Sequence, residues 1–206
     1  MRVVMHTVAE IQVSGLEEPE AEIARAFEAI QDAESSLSIW DEDSEVSRLN
    51  ERGEAALSEN AFLAIRMSIE IARESGGAFD PTRVERGFDK VHLDPHSRCA
   101  RLEGGVKLDL GALAKGHAAD RALESLRAAG ASSALVDLGT SSVALFGGED
   151  VGFEIRNPKG GPSPASFRIR QGALGSSSEE QQRAHIVDPR TGRTPSGILA
   201  ATVVAE

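Results

Sequence analysis

The sequence predicts an α+β fold, because helical and strand-like patterns both occur along the chain but do not alternate one for one. The chain has 206 residues, 40% of them hydrophobic and 27% charged, which is ordinary for a globular protein. That length suits one sizeable core, and we expect a single domain over residues 1–206. A doubly wound parallel sheet is disfavoured, since it needs a helix between most successive strands.

Each element is predicted from the periodicity of its apolar residues and from the capping and turn-forming residues at its ends. Ile23, Phe27 and Ile30 share one helical face, and Ser58 is a typical N-cap for the next helix. The predicted elements are a strand over residues 3–13 with an irregularity at His6-Thr7, a helix from Pro19 to Leu37, a second helix from about Asn60 to Ser75, loops with short strands over residues 81–105, a third helix at about Lys115–Ala129, and strands at Ala134–Leu138, Ser142–Phe146, Gly152–Arg156, Ser166–Gln171, Ala184–Val187 and Leu199–Val204.

Charge and cysteine content exclude several classes of protein. The 22 basic and 33 acidic residues give a net charge of −11, which disfavours nucleic acid as a partner and a polybasic membrane anchor. Cys99 is the single cysteine, so the sequence allows neither an intrachain disulfide nor a zinc site of several thiolates. No apolar run is long enough for a membrane span, and the N-terminus does not read as a signal peptide. We therefore expect a cytoplasmic protein, or an exported one if a signal segment was removed.

The segment Asp109–Asp120, which reads DLGALAKGHAAD, carries the strongest indication of a ligand. An acidic residue ends a short apolar strand, a glycine turn follows, and the helix is predicted to begin at or near Lys115. Free N–H groups at a helix N-terminus and an adjacent lysine favour an anion. The spacing is not that of a Walker A loop. The alternative is a plain strand–turn–helix junction with a solvated lysine.

Two earlier segments are weaker on their own. GGAFDPT, residues 76–82, offers Asp80 and Thr82 as an acceptor and a hydroxyl, but a helix C-cap with an Asx turn explains the same residues. SEVSRLN, residues 44–50, offers Ser44 and Asn50, but a capped short helix is a sufficient explanation of the pattern.

The segment HIVDPRTG, residues 185–192, contains a possible proton carrier. His185 opens a short predicted strand and Asp188 follows at its exit, and histidine is well suited to move a proton near neutral pH. The alternative is a hairpin turn with a structural histidine. The chain has neither a GxSxG elbow nor an HExxH pair, so a conventional serine hydrolase or zinc protease has no support.

Taken in order, SEVSRLN, GGAFDPT, DLGALAKGHAAD, SALVDLG, VGFEIRNP and HIVDPRTG resemble the FAD:protein FMN transferases of the ApbE family. The resemblance runs from Met5 to Val204, with His6 where the family usually has glycine. It implies a T-fold type of α+β fold, with mixed sheets, packed helices and an FAD cleft between two subregions. It also implies a Mg²⁺-dependent transfer of FMN from FAD to a Ser or Thr hydroxyl of a target protein, with release of AMP.

The resemblance also assigns roles to particular residues. These roles are Ser44 and Asn50 near the adenosine, Asp80 and Thr82 along the cleft, Asp109, Lys115 and Asp120 at the flavin and diphosphate, Asp188 as an orienting group, backbone carbonyls at Gly111 and Ala112 as metal ligands, and His185 as the base that activates the acceptor hydroxyl.

The chain departs from the family pattern in several places. Thr140-Ser141-Ser142 replaces a GGD-like segment, Gly175–Ser178 replaces a TSG-like turn, and the stretch between GGAFDPT and DLGALAKGHAAD is short. The family pattern continues into an Asp-x-x-x-Thr/Ser segment that supplies metal ligands, and that segment is not in this sequence. The alternative to a transferase is therefore a relative that binds FAD or another nucleotide without transferring FMN.

Overall fold

The computed structural model describes residues 1–139, 141–178, 186–194 and 196–205. The helices are α1 (Pro19–Leu37), α2 (Glu45–Arg52), α3 (Glu59–Glu74) and α4 (Gly111–Ala128), with a 3₁₀ turn at Gly87–Lys90. The strands are β1 (Arg2–Val4), β2 (Thr7–Ser14), β3 (Glu54–Ala56), β4 (Val91–Asp94), β5 (Cys99–Leu102), β6 (Ser133–Leu138), β7 (Ser142–Phe146), β8 (Val151–Glu154), β9 (Ser166–Ile169), β10 (Gly172–Ser178) and β11 (Ala200–Ala205).

The chain divides into two compact units. The first contains residues 1–31, 118–183 and 196–206, and the second contains residues 32–117 and 184–195. The prediction of a single domain remains a prediction.

The first unit is built on a six-stranded sheet in the order β1-β2-β6-β7-β10-β11, in which each neighbouring pair is antiparallel. Val136, Leu138 and Leu145 are buried in this sheet, and the helical residues Phe27 and Leu126 are buried in the same unit. The antiparallel pair β8-β9 forms a separate ribbon, on which the rings of Phe153 and Phe167 stack with centroids 5.7 Å apart.

The second unit packs α2 and α3 with the antiparallel sheet β3-β5-β4. Its buried side chains include Leu49, Ile65, Ile69, Leu108 and Leu110. The hydroxyls of Ser44 and Ser58 accept from Ser47 N–H and Ala61 N–H and so cap α2 and α3. This unit holds most of the residues singled out from the sequence.

The N-terminal strand prediction needs a correction, because residues 3–13 form a hairpin rather than one irregular strand. Met5 and His6 both have positive φ, 49° and 58°, in a two-residue turn between β1 and β2. Two positive φ angles are what the right-handed twist of a tight hairpin requires. Side-chain alternation continues through such a turn, so the pattern alone did not show it.

Helix α4 begins four residues earlier than the sequence predicts, at Gly111 rather than near Lys115. Residues 106–110 are not a strand, although the sequence favoured one. Asp109 Oδ1 accepts from Gly111 N–H, and this side-chain contact lets the helix begin at the glycine. Glycine was interpreted as a turn residue, whereas here it is the first helical residue.

The predictions for the C-terminal half are confirmed in part. The predicted strands at residues 134–138, 142–146 and 199–204 match β6, β7 and β11 within one residue at either end, whereas β8 and β9 are shorter than predicted. The stretch Gly175–Ser178, which was interpreted as standing in place of a turn, lies within strand β10 (Gly172–Ser178). The strand predicted at 184–187 falls partly outside the described residues, and Ile186 and Val187 are not in a strand.

Candidate functional site

Asp80 organises the GGAFDPT segment from a buried position. The residue is 5% exposed, and its Oδ1 accepts from the amide and the hydroxyl of Thr82 at 2.9 and 2.7 Å. Its Oδ2 accepts from Phe88 N–H at 3.2 Å. This is the Asx turn that the sequence allowed as an alternative, and it satisfies the buried carboxylate with three donors.

Thr82 is packed closely enough to restrict its neighbour. A Cβ added at Gly87 would collide with the Thr82 hydroxyl and Cβ. Gly87 is therefore required because Thr82 packs against it and leaves no space for a side chain. Its backbone conformation does not require glycine, since its φ is not positive. Gly87 could not be predicted from the sequence, because no local pattern shows that Thr82 would lie against it.

Asn50 joins SEVSRLN to DLGALAKGHAAD. Its side-chain amide donates to the Leu108 carbonyl at 2.8 Å and accepts from the Leu108 N–H at 2.7 Å. One side chain therefore satisfies both polar backbone groups of a residue that is 1% exposed. This contact fixes the backbone immediately before Asp109.

Asp109 joins the same segment to GGAFDPT. Its N–H donates to the Pro81 carbonyl at 2.7 Å, and its Oδ1 accepts from Gly111 N–H at 2.9 Å. Its Oδ2 accepts from Arg83 Nη1 at 3.1 Å, in an ion pair that the sequence analysis did not anticipate. Three segments that are far apart in sequence therefore meet within the second unit, at the N-terminus of α4.

Lys115 and the proposed metal carbonyls have different positions from those predicted. Lys115 is the fifth residue of α4, so it lies in the second helical turn rather than at the helix start. Gly111 and Ala112 are the first two helical residues, and their carbonyls face along the helix toward the N–H groups four residues later. Their role as metal ligands remains a prediction.

The described residues do not form a magnesium site by themselves. No group of three or more His, Cys, Asp or Glu side chains among them could hold a metal ion. Both oxygens of Asp109 already accept from protein donors, and the Gly111 and Ala112 carbonyls belong to a helix. The donor set on the described part of the chain therefore does not fit the metal that the resemblance implies.

The remaining predicted site residues are in several places. Ser44 is fully buried as the α2 cap. Asp120 lies in the first unit. It is exposed overall, yet surrounding protein desolvates its carboxyl and raises the pKa. Asp188 is in the second unit, where hydrogen bonds from the Arg190 side chain and amide lower the pKa of its carboxyl. His185 lies outside the described residues.

Two concave surfaces in the described structure lie away from these residues. One, in the second unit, has a lining that includes Phe62, Ile69 and Val91 together with Arg66 and Arg73. The other follows the β8-β9 ribbon in the first unit. Neither is lined by a predicted site residue. No helix in the described ranges is long and apolar enough to cross a membrane.

Comparison with known proteins gives concordant results. A curated FAD:protein FMN transferase from Treponema pallidum is 30% identical over 164 residues, 62% of this chain. The match covers 45% of that protein, so the chain spans less than half the length of the curated relative.

Two solved structures share the fold. The ApbE protein from Thermotoga maritima has a TM-score of 0.87 at 24% identity, over 98% of this chain and 79% of its own. The flavin transferase ApbE from Vibrio cholerae has a TM-score of 0.82 at 18% identity, over the same shares. These likenesses confirm the predicted α+β fold class. The ApbE family model matches residues 5–85 and 83–206, and the chain therefore belongs to the ApbE family.

Proposed function

We propose that this chain binds FAD and transfers its FMN moiety to a Ser or Thr hydroxyl of an acceptor protein, with release of AMP. One observation carries the proposal: Asn50, Pro81 and Asp109 connect three family segments at the N-terminus of one long helix. Family membership and the activity named for the Treponema relative support the same assignment.

The proposed reaction is a phosphoryl transfer. The acceptor oxygen attacks the phosphorus on the FMN side of the FAD diphosphate and forms a phosphoester bond. The bond from that phosphorus to the bridging oxygen breaks, AMP leaves with that oxygen, and the hydroxyl proton passes to a base. Such reactions depend on positioning and on compensation of the charge that develops on the phosphates.

A chain of net charge −11 must supply local positive potential to bind a diphosphate. The N-terminus of α4 supplies partial positive charge, and Lys115 one turn along the same helix supplies a full charge. We assign both to the diphosphate, and we assign Asp109 and Asp120 to the same flavin and diphosphate part of the site. Ser44 and Asn50 are assigned to the adenosine side, where their caps and backbone contacts hold the local structure rigid.

Asp80 and Thr82 are proposed to shape the wall of the site through their buried turn. His185 is proposed as the base, with Asp188 orienting the segment. We also propose that transfer requires Mg²⁺, but the described side chains do not form its site, so no step above is routed through the metal.

The test is intact-mass spectrometry of a peptide library, each member carrying one Ser or Thr, incubated with the protein, FAD and MgCl₂. We expect peptides heavier by FMN less one water, with an equal amount of AMP in solution. A parallel sample with EDTA is expected to give neither product. FAD binding without AMP or modified peptide under any condition would support the alternative, a nucleotide-binding relative without transferase activity.

A further inference from the structure

Arg83 is held between two of the segments assigned to the FAD site. Its Nη1 donates to Oδ2 of Asp109 at 3.1 Å. Its amide N–H donates to the Asp80 carbonyl at 3.0 Å, while the Asp109 N–H donates to the Pro81 carbonyl at 2.7 Å. Arg83 also has φ 58°, a backbone angle that arginine rarely adopts. The turn therefore fixes the position of the Arg83 Cα and Cβ atoms. Both ends of the ion pair are therefore anchored through the backbone.

Asp109 presents a difficulty for a diphosphate ligand. Asp109 lies two residues before Gly111, the first residue of α4, and its carboxylate repels a second negative charge placed a few ångströms away. Gly111 N–H contacts one of its oxygens, and Arg83 contacts the other. In the part of the chain that the structure describes, the Arg83 guanidinium forms an ion pair with this carboxylate and so brings it a full positive charge.

The Arg83 side chain also retains capacity for a ligand. It is 51% exposed, against 26% for its partner Asp109. Among the residues that the structure describes, its side chain has one hydrogen-bond partner, Asp109, whereas a guanidinium carries five N–H groups. The remaining donors suit phosphate oxygens, which arginine recognises well.

We infer that Arg83 is the positioning residue for the FAD diphosphate: it neutralises Asp109 and so lets the phosphates approach the N-terminus of α4. The inference rests on the proposed function, and it deepens that function by making the site selective for phosphorylated flavins over riboflavin. Arg83 acts through its positive charge, both on Asp109 and on the phosphates, so its removal weakens the binding of flavins that carry phosphate and not of riboflavin.

The experiment measures dissociation constants for FAD and for riboflavin at low ionic strength, using the wild-type chain and Arg83→Ala. Loss of the cation is expected to weaken FAD binding about tenfold, the order expected for one partly solvated charge pair. Riboflavin carries no phosphate, so its affinity is expected to change by less than about twofold on the same argument. The difference for FAD is expected to shrink in about 0.5 M NaCl, because salt screens exposed charges.

Two further variants separate charge from structure. Arg83→Lys keeps the charge and is expected to retain most of the FAD affinity, and it remains informative if Arg83→Ala fails to fold. Arg83→Ala combined with Asp109→Asn removes the uncompensated carboxylate and is expected to bind FAD more tightly than Arg83→Ala alone, by the part of the affinity that comes from neutralisation. Arg86→Ala is the matched control, since Arg86 has φ 51° in the same segment but pairs with Asp89.

The outcomes are distinguishable. No binding of FAD to the wild-type chain contradicts the proposed function itself. FAD binding that is equal in wild type and Arg83→Ala overturns the inference alone. Equal losses for FAD and riboflavin, or an equal effect of Arg86→Ala, also overturn it, because they indicate a structural role. If Asp109→Asn does not improve FAD binding in the Arg83→Ala background, the inference that Arg83 neutralises Asp109 is overturned.

Discussion

Asn50 illustrates how a single residue serves both fold and site. Its amide bonds both polar backbone groups of Leu108, a residue that is not in a strand. Ser44 and Asp80 also bond backbone N–H groups: Ser44 caps helix α2, and Asp80 is the acceptor of a buried turn. At the scale of residues, therefore, the polar side chains singled out from the sequence hold the backbone in place, and the proposed ligand would bind the resulting surface.

Replacement of Asn50 by Ala is expected to lower the free energy of unfolding by about 2–4 kcal/mol, because a buried N–H and a buried C=O each lose their partner. Urea denaturation measures the change. Asn157→Ala is the control, since the Asn157 amide bonds a backbone carbonyl at the surface, and it is expected to cost less than about 0.5 kcal/mol. Equal effects of the two substitutions would contradict the role given to Asn50.

His185→Ala is expected to reduce the rate of FMN transfer by about 10²–10⁴-fold, the range for loss of a general base, while FAD affinity changes little. Transfer to peptide under single-turnover conditions, with FAD affinity measured in parallel, separates the two effects. Transfer at the wild-type rate would remove His185 from the role of base.

Lys115→Ala is expected to weaken FAD binding more than it slows transfer from bound FAD, because its charge is assigned to the diphosphate. Calorimetry gives the affinity, and Lys159→Ala in an exposed loop of the first unit is the control. Identical dissociation constants for Lys115→Ala and wild type would exclude Lys115 from the site.

At the scale of elements, the turn between β4 and β5 carries local strain. Arg98 has φ 51°, in the left-handed region that costs an L-residue roughly 1–2 kcal/mol. Arg98→Gly is expected to raise the free energy of unfolding by about 0.5–1 kcal/mol after allowing for the greater chain entropy of glycine. Arg101→Gly, within strand β5, is the control and is expected to destabilise. Urea denaturation that shows both changes destabilising would contradict the strain assigned to Arg98.

The Asp188 segment is expected to respond to acid. Hydrogen bonds from Arg190 lower the pKa of the Asp188 carboxyl, so the contact stabilises the folded segment above the ordinary carboxyl pKa of about 3.9. That contribution is lost as the pH falls through the lowered value. Arg190→Ala is expected to raise the Asp188 pKa toward its ordinary value. NMR titration of the Asp188 carboxyl carbon measures the change. An unchanged titration would show that Arg190 is not the cause.

Elements with strong local signals could be predicted from the sequence. Helices α1 and α3 have a regular apolar face, α3 also has a serine cap, and strands β6 and β7 are short runs rich in Val, Leu and Ala. Strand β10 could not be predicted, because GALGSSS has low strand propensity and becomes a strand through pairing with β7 and β11. The start of α4 depended on Asp109, a side chain outside the helix.

The candidate site was predictable in its residue types but not in its contacts. Ordered motifs singled out Asn50, Asp80 and Asp109. The partners of those residues are Leu108, Phe88 and Arg83, which only the folded chain brings near, and Arg83 is 26 residues from Asp109. Long-range pairings of this kind carry no local periodicity, which is why the sequence analysis missed Arg83 and Gly87.

At the scale of the whole molecule, we propose that three segments of the second unit bind FAD. Hydrogen–deuterium exchange of the full chain, with and without FAD, tests it most directly. We expect FAD to slow amide exchange in residues 44–52, 80–88 and 108–117. We expect exchange to stay unchanged in the β8-β9 ribbon and around the concave surface lined by Phe62, Ile69 and Val91. Protection confined to either of those concave surfaces, or no protection anywhere at saturating FAD, would contradict the claim.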